Sequence, residues 1–199
     1  MADTVSLLIG GAIGFMSAVL APIAVEPLKH CVFGPKLKVE FIEGDRSFKT
    51  DTKEQAVSMV TDAHYVRVKV LNTGRQIAKQ CRAYLVNVER WSESTSNFEP
   101  TIYCDSLQLA WSARGNEAYH PLDVPRDINQ FIDVVSTRKP EKDYRIETNS
   151  RLFRYEDLFK DHGKFRYTVR VSGDNVKPVS IKIVFEWSGD WHNFVVSAG

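Results

Sequence analysis

The chain has 199 residues, of which 43% are hydrophobic, and a formal net charge of +1 at pH 7. This length fits one domain with an anchor, and the balanced charge argues against nucleic-acid binding, which needs a strongly basic face. Cys31, Cys81 and Cys104 form no CxxC motif. Their odd number favours free thiols in a reducing compartment, although pairing of Cys81 with Cys104 stays open.

The chain opens with an uncharged apolar segment, Val5–Val25. Its 21 residues would span about 31 Å as an α-helix, close to the ~30 Å hydrocarbon core of a bilayer. The segment has no polar stripe of the kind that a helix packed on a soluble core carries. We therefore predict one transmembrane α-helix in an anchor and linker at residues 1–35, followed by a single domain at 36–199.

A cleaved signal peptide is the main alternative to this anchor. Signal peptides begin with basic residues and end at a small-residue cleavage site. This chain begins Met-Ala-Asp-Thr, and Pro22 follows Ala21, the best candidate for the last residue before a cut. Both features favour a helix that stays attached to the domain.

The charges on either side of the segment predict its orientation. Only Asp3 precedes the segment, whereas Lys29, Lys36 and Lys38 follow it. Because basic residues stay on the cytoplasmic side, we predict a single-pass protein of the cell membrane with its N-terminus outside and its C-terminal domain in the cytosol.

Small residues recur every four positions within the segment, at Gly10, Gly14 and Ala18. Such a stripe lets two membrane helices approach closely and predicts a possible homo-oligomer that forms through the helix. Glycine and alanine are also common in membrane helices in general, so composition alone explains the stripe equally well.

From residue 36 onward, short segments alternate apolar and polar residues, the period of strands with one buried face. These segments are Lys36–Ile42, Tyr65–Leu71, Arg82–Val88, Ser106–Trp111, Gln130–Val135, Phe165–Val171 and Ile181–Trp187. In Arg82–Val88 we expect Tyr84, Val86 and Val88 to share one face. The alternation and the turn residues between segments predict an all-β, antiparallel β-sandwich of about seven to nine strands.

Four stretches lack this alternation. Phe48–Thr61 is predicted to be a loop or to hold a short helix at Lys53–Met59, and Glu89–Pro100 to be a surface loop. Arg154–Asp161 is predicted to form one or two helical turns. His120–Pro125 is predicted to be an extended loop whose prolines discourage pairing with other chains.

The stretch Asn72–Leu85 reads NTGRQIAKQCRAYL. It resembles the N-x-G-x-x-x-A-x-x-(V/C)-x-x-x-L pattern of CARDB-type immunoglobulin-like modules of bacteria and archaea. In this interpretation Gly74 supplies a turn that tolerates the left-handed region, Ala78 is small where the sheets approach, and Cys81 leads into the next strand. The resemblance implies a membrane-anchored, immunoglobulin-like β-sandwich and no particular activity.

A second resemblance lies at Asp161-x-Gly163-x-Phe165-x-Tyr167. It is similar to the D-x-G-x-Y-x-C entry of the penultimate strand of immunoglobulin domains, with Phe165 and Tyr167 in place of tyrosine and cysteine. These replacements remove the tyrosine corner and the intersheet disulfide. An ordinary turn before a strand explains the same residues.

No catalytic signature is present: the chain has no HExxH, GxSxG, P-loop or GxGxxG motif. We therefore predict a protein that is not an enzyme, needs no metal or cofactor, and recruits a protein partner to the membrane surface. Trp111 and Trp187 are expected in the core. The candidate partner-binding residues are Trp91, Pro121, Asp123, Trp191 and His192.

Two other functions stay open. An outward-facing domain could bind carbohydrate or cell-envelope material by stacking sugars on exposed tryptophans. A hydrolase could assemble its site from scattered carboxylates and His192, and such a site would need a cleft with convergent polar groups.

Overall fold

The computed structural model describes residues 33–46, 48–56, 59–150 and 152–199. The predicted anchor at Val5–Val25, with Gly10, Gly14 and Ala18, lies outside these residues. In the ranges that the structure does describe, no helix is both long and apolar enough to cross a bilayer.

The described residues form thirteen strand segments and three short helices. The strands are β1 (Leu37–Glu40), β2 (Lys49–Ala56), β3 (Met59–Asn72), β4 (Ala78–Ser92), β5 (Asn97–Pro100), β6 (Leu107–Gln108), β7 (Ala110–Trp111), β8 (Leu122–Val124), β9 (Gln130–Arg138), β10 (Tyr144–Ile146), β11 (Gly163–Gly173), β12 (Val176–Trp187) and β13 (Phe194–Ala198). The helices are two 3₁₀ turns, Gly115–Glu117 and Phe153–Tyr155, and α1 (Glu156–Lys160).

The strands pair into two antiparallel sheets. In sheet one, β3 pairs with β1 and β2 along one edge and with β9 along the other, and β9 also pairs with β7 and β10. In sheet two the order is β13-β12-β11-β4, and β4 also pairs with β5, β6 and β8. The sheets enclose one core, so the predicted all-β sandwich is confirmed; the strand count exceeds the expected number because the outer positions consist of short pieces.

The core lies between the inward faces of the two sheets. Phe165, Tyr167 and Val169 of β11 are fully buried, as their alternation predicts. The Tyr167 hydroxyl donates to the Tyr144 hydroxyl at 2.9 Å and so joins sheet two to β10 of sheet one. Full burial of each large apolar side chain contributes roughly 1.5–3 kcal/mol. Trp111 and Trp187 are almost completely buried in this core, as expected.

Two predicted loops are strands instead. In the first stretch Lys49–Ala56 form β2 and residues 59–61 begin β3; in the second, residues 89–92 end β4 and Asn97–Pro100 form β5. Both predictions were wrong for the same reason: β2 and β5 lie at sheet edges and none of their described side chains is fully buried, so they show no apolar alternation. The β4–β5 hairpin is held by an edge-to-face contact between Trp91 and Phe98 at 5.2 Å.

The predicted face of β4 was also wrong. Cys81, Ala83, Leu85 and Val88 are buried, whereas Tyr84 and Val86 are half-buried. On β11, Thr168 pairs with Asn87 and the next residue pairs with Leu85, so Val86 is an extra residue. This β-bulge shifts the alternation by one position, and only Val88 faces the core as the simple period predicted.

The remaining irregular stretches agree better with expectation. The predicted helical turns at residues 154–161 are confirmed by the 3₁₀ turn and α1. The predicted extended loop at 120–125 contains β8, which pairs Leu122 with Cys81 and Val124 with Ala78 of β4. Prolines flank this pairing at positions 121 and 125, where they interrupt no bond of the ladder.

The two ends of the sandwich differ, and we name them here. At the base, β1 begins and β3 ends. Fully buried Asn72 organises this end: its Oδ1 accepts from the amides of Lys36 (3.0 Å) and Gly74 (2.9 Å), and its Nδ2 donates to the carbonyls of Gln76 (2.7 Å) and Val124 (3.0 Å). The opposite end, where β2, β4, β9 and β12 finish, is the distal end.

Gly74 is required at the base for a reason other than the predicted one. It does not adopt a left-handed conformation. A Cβ at this position would instead lie 2.3 Å from the carbonyl oxygen of Gly34 and 2.4 Å from the amide nitrogen of Lys36. Only glycine therefore lets the incoming chain pack directly on the 72–77 loop. Ala78, at the start of β4, is fully buried.

Candidate functional site

Three polar side chains converge at the distal end: Asp51 of β2, His64 of β3 and His192 of the loop between β12 and β13. Antiparallel pairing sets Asp51 opposite His64. His64 follows the same inward phase as Val66 and is 3% exposed, whereas His192 is exposed. The cluster therefore bridges the two sheets where the apolar core ends.

The three residues form a continuous hydrogen-bonded chain. His64 Nδ1 lies 2.6 Å from Asp51 Oδ1, and His64 Nε2 lies 2.9 Å from His192 Nδ1. With both rings neutral, one proton arrangement satisfies both contacts: His192 Nδ1–H donates to His64 Nε2, and His64 Nδ1–H donates to the carboxylate. This tautomer leaves a lone pair on His192 Nε2, which takes no part in the chain.

Trp191 covers the cluster. Its ring stacks on the His64 ring with centroids 5.0 Å apart and planes 17° apart. The Trp191 carbonyl accepts a 2.7 Å hydrogen bond from Thr137 Oγ1 of β9, which ties the loop of sheet two to sheet one. Lys139 Nζ lies 5.9 Å from the indole centroid, at the outer limit of a cation–π contact.

The loop that carries Trp191 and His192 is fixed by its own hydrogen bonds. The His192 amide donates to Asp190 Oδ1 at 3.0 Å, and Ser188 Oγ donates to the Asn193 carbonyl at 2.8 Å. Gly189 has a φ of +86°, which favours glycine. The geometry of this loop presents His192 at the surface.

Burial controls the charge of the central histidine. It lowers the pKa of His64 below the ordinary value of 6.5, and the opposing effect of the Asp51 hydrogen bond is smaller. Lys49 and His192 lower this pKa further by charge repulsion. The neutral imidazole is therefore the stable form at neutral pH, in agreement with the proton arrangement of the chain.

Two shallow cavities lie on either side of the cluster. One, of about 300 Å³, is lined on its outer side by Phe41, Arg46 and Lys49. The other, of about 560 Å³, is lined by Thr52 and Asp62 together with the cluster. These volumes suit a protruding side chain or a small polar molecule.

The contacts that this site offers are hydrogen bonds and aromatic stacking. His192 can accept a hydrogen bond at Nε2, and its contact with His64 orients the ring. Among the described residues that line the two cavities, Thr52 is the one hydroxyl, and none is serine or cysteine. No group of His, Cys, Asp and Glu side chains in the described ranges could hold a metal ion.

The five predicted binding residues lie at both ends of the molecule. Trp191 and His192 belong to the distal cluster. Trp91 is at the same end but on the far edge of sheet two, where it lines a separate cavity of about 520 Å³. Pro121 and Asp123 lie at the base, where Asp123 Oδ1 accepts a hydrogen bond from the Gln80 amide at 2.8 Å.

Sequence reasoning missed Asp51 and His64. A signal for His64 was present, because it occupies the inward position two residues before Val66 in an alternating strand. Asp51 lies in the segment that was misread as a loop, so its pairing with His64 was not visible before the β2–β3 register was known.

No family model matches the chain, and no curated protein or solved structure shows a significant similarity to it.

Proposed function

We propose that this chain is a membrane-tethered, non-catalytic module that holds a protein partner at the cytosolic face of the membrane. The observation that best supports this proposal is the distance between the base and the distal end of the sandwich. The chain enters at the base, next to Asn72, and His64 lies eight residues away along β3, about 26 Å at the usual strand rise. A tether at residues 5–25 thus leaves the distal cluster directed away from the bilayer.

The proposal includes an immunoglobulin-like topology. The order β1-β3-β9-β7 in sheet one corresponds to A-B-E-D, and β4-β11-β12 in sheet two corresponds to C-F-G. In many such domains the loops at one end bind partners. In this correspondence the B–C and F–G loops lie at the base, and the distal loop that bears Trp191 and His192 follows strand G at the opposite end. Tethering confines the module to a surface and raises its effective concentration for a partner there.

Partner binding is tested with full-length protein in its native membrane. A photo-crosslinking amino acid at position 192 is expected to capture one defined protein, and the same probe at exposed Arg170 is not. Without the crosslinker, the amount of this protein that co-purifies with the Trp191→Ala chain is expected to be at least about ten-fold lower than with the unsubstituted chain. A ten-fold loss corresponds to about 1.4 kcal/mol of binding free energy. His120→Ala removes an exposed histidine elsewhere and serves as the control. Equal recovery from both variants would contradict the proposed surface.

Anchoring and orientation are tested separately. Full-length protein is expected to stay in the membrane pellet after alkaline carbonate extraction, and a C-terminal topology reporter is expected to act in the cytosol. A reporter that acts only outside would contradict the cytosolic orientation. It would favour the second reading, in which Trp91 and Trp191 stack on carbohydrate or cell-envelope material.

We also propose that the helix self-associates through Gly10, Gly14 and Ala18. Gly14→Leu is expected to abolish crosslinked dimers of the membrane-bound chain, because a large side chain prevents close helix approach. Leu20→Ile, outside the small-residue stripe, is the control. Dimers that persist in Gly14→Leu would contradict this contact.

A hydrolase is the second candidate function, and the Asp51–His64–His192 chain is the observation that favours it. A histidine whose Nδ1 is held by such a chain can act as a general base through Nε2. The test is a panel of ester and phosphodiester substrates. Activity that His192→Gln abolishes and His120→Gln retains would support an enzyme, and absence of turnover with every substrate would count against it.

A further inference from the structure

The base of the sandwich exposes three large apolar side chains. Phe33, Ile77 and Ile128 are 42%, 47% and 49% exposed. They belong to one surface, because contacts join the segments that carry them. The Asn175 side chain donates to the Ile77 carbonyl at 3.0 Å, and the Asp127 amide donates to the Asn72 carbonyl at 3.0 Å.

Basic side chains surround these apolar residues. Arg75, Lys79 and Arg126 are exposed, and the Arg75 guanidinium lies 5.1 Å from the Phe33 ring centroid. Residues 33–37, 73–80, 123–128 and 173–177 together carry five basic and three acidic side chains. Asp127 lies 3.0 Å from Arg126 Nε, so it neutralises one of the five. The base is therefore positive, with apolar side chains among the charges.

The chain itself brings this surface to a bilayer. Seven residues separate Val25 from Phe33 in the sequence, and even fully extended they reach at most about 25 Å. If Val5–Val25 spans the membrane, the base is thus held within reach of the lipid headgroups, and it is the end of the sandwich at which the tether attaches. Basic side chains close to an anionic leaflet and apolar side chains at its boundary both favour contact.

We propose, on the basis of the tether proposed above, that the base docks on anionic phospholipid headgroups. Phe33, Ile77 and Ile128 enter the headgroup boundary, and Arg75 and Lys79 contact lipid phosphates and carboxylates. Docking holds the sandwich upright and directs the Trp191–His192 loop into the cytosol. The surface takes lipid as its occupant because the tether attaches at this end and supplies a bilayer at high local concentration, and because the basic side chains here complement anionic headgroups.

The test uses the full chain in nanodiscs of phosphatidylcholine alone or mixed with phosphatidylserine. Hydrogen exchange is measured for backbone amides at residues 73–79 and 124–128. We expect slower exchange in the anionic discs, by roughly five-fold for each basic residue in contact, and loss of the difference at high salt. Arg75→Glu combined with Lys79→Glu is expected to abolish most of the protection.

A matched variant, Lys53→Glu with Lys142→Glu, makes the same charge change at exposed distal positions and is expected to keep the protection. A chain that inserts into the discs but shows no lipid-dependent protection at the base would overturn the docking proposal and leave the tether standing. A chain that fails to insert would overturn both. Protection that persists unchanged in Arg75→Glu/Lys79→Glu would also overturn it.

Discussion

At the residue scale, two polar side chains terminate the inward face of β3. His64 and Asn72 stand at either end of the run Val66, Val68 and Val70, and both are almost fully buried. Buried polar groups must be hydrogen-bonded to avoid a desolvation penalty. Asn72 meets this need with four backbone partners at the base, and His64 meets it with Asp51 and His192 at the distal end.

Asn72→Ala is expected to lower the free energy of unfolding by about 3 kcal/mol or more. The substitution leaves two amides and two carbonyls without their partner, and each unsatisfied buried group costs about 1–3 kcal/mol. Asn97→Ala removes an exposed asparagine at the start of β5 and is expected to cost less than about 0.5 kcal/mol. Chemical denaturation of full-length protein measures both, and equal losses would show that Asn72 does not organise the base.

The lowered pKa of His64 predicts a pH dependence of stability. Below the ordinary value of 6.5 the unfolded chain takes up a proton on this histidine before the folded chain does. Protons therefore favour the unfolded state, and stability is expected to fall as pH drops from about 6.5 towards 5. The free energy of unfolding, measured across this pH window, should depend less on pH in His64→Gln and keep its full pH dependence in His120→Gln. The same slope in both variants would be evidence against a buried neutral His64.

At the element scale, the bulge in β4 decides which residues reach the core. Because Val86 is extra relative to β11, Leu85 is fully buried and Val86 is half-buried. Alternation alone predicted the opposite, because it cannot reveal where a strand contains an inserted residue. The partner strand sets this position, since the two-residue period of β11 is unbroken from Phe165 to Val171.

Truncation of the two neighbours tests the bulge. Leu85→Ala is expected to destabilise the protein by about 2–5 kcal/mol because it leaves a cavity in the core. Val86→Ala is expected to cost less than about 1 kcal/mol because the side chain is half-exposed. Denaturation midpoints of full-length variants give the comparison. A larger loss of stability in Val86→Ala than in Leu85→Ala would instead support a register without the bulge.

At the scale of the whole molecule, no disulfide holds the described sandwich together. Cys81 and Cys104 are both free, the first buried and the second exposed, so the pairing that the sequence left open does not occur. Stability comes from the shared core of the two sheets. The polar bridge between His64 and His192 closes one end of that core, and the Asn72 network closes the other.

The two described cysteines are expected to react differently with maleimide. Burial raises the pKa of Cys81 to about 11, with Asp123 and Asp174 adding to the rise, and the reagent needs an accessible thiolate. In a Cys31→Ser background, Cys104 should therefore be labelled in the native protein. Cys81 should be labelled only after denaturation. Peptide mass spectrometry distinguishes the two sites. Equal labelling of native protein would mean that the core opens at Cys81.

Sequence alone determined the all-β class, the central strands β3, β9, β11 and β12, and the burial of Trp111 and Trp187. These features follow from a local cause, the two-residue period of a strand with one buried face. The predicted membrane helix at Val5–Val25 also follows from a local property, an uncharged apolar run of residues. The carbonate extraction experiment tests it.

Tertiary structure decided the edge strands, the bulge at Val86 and the meeting of Asp51, His64 and His192. Edge strands carry little apolar pattern, and a bulge is defined only against a partner strand. The distal cluster joins residues 128 positions apart in the chain, so it depends on how the two sheets stack. Local periodicity contains no information about that stacking, because it fixes which way a side chain points and not which loop it meets.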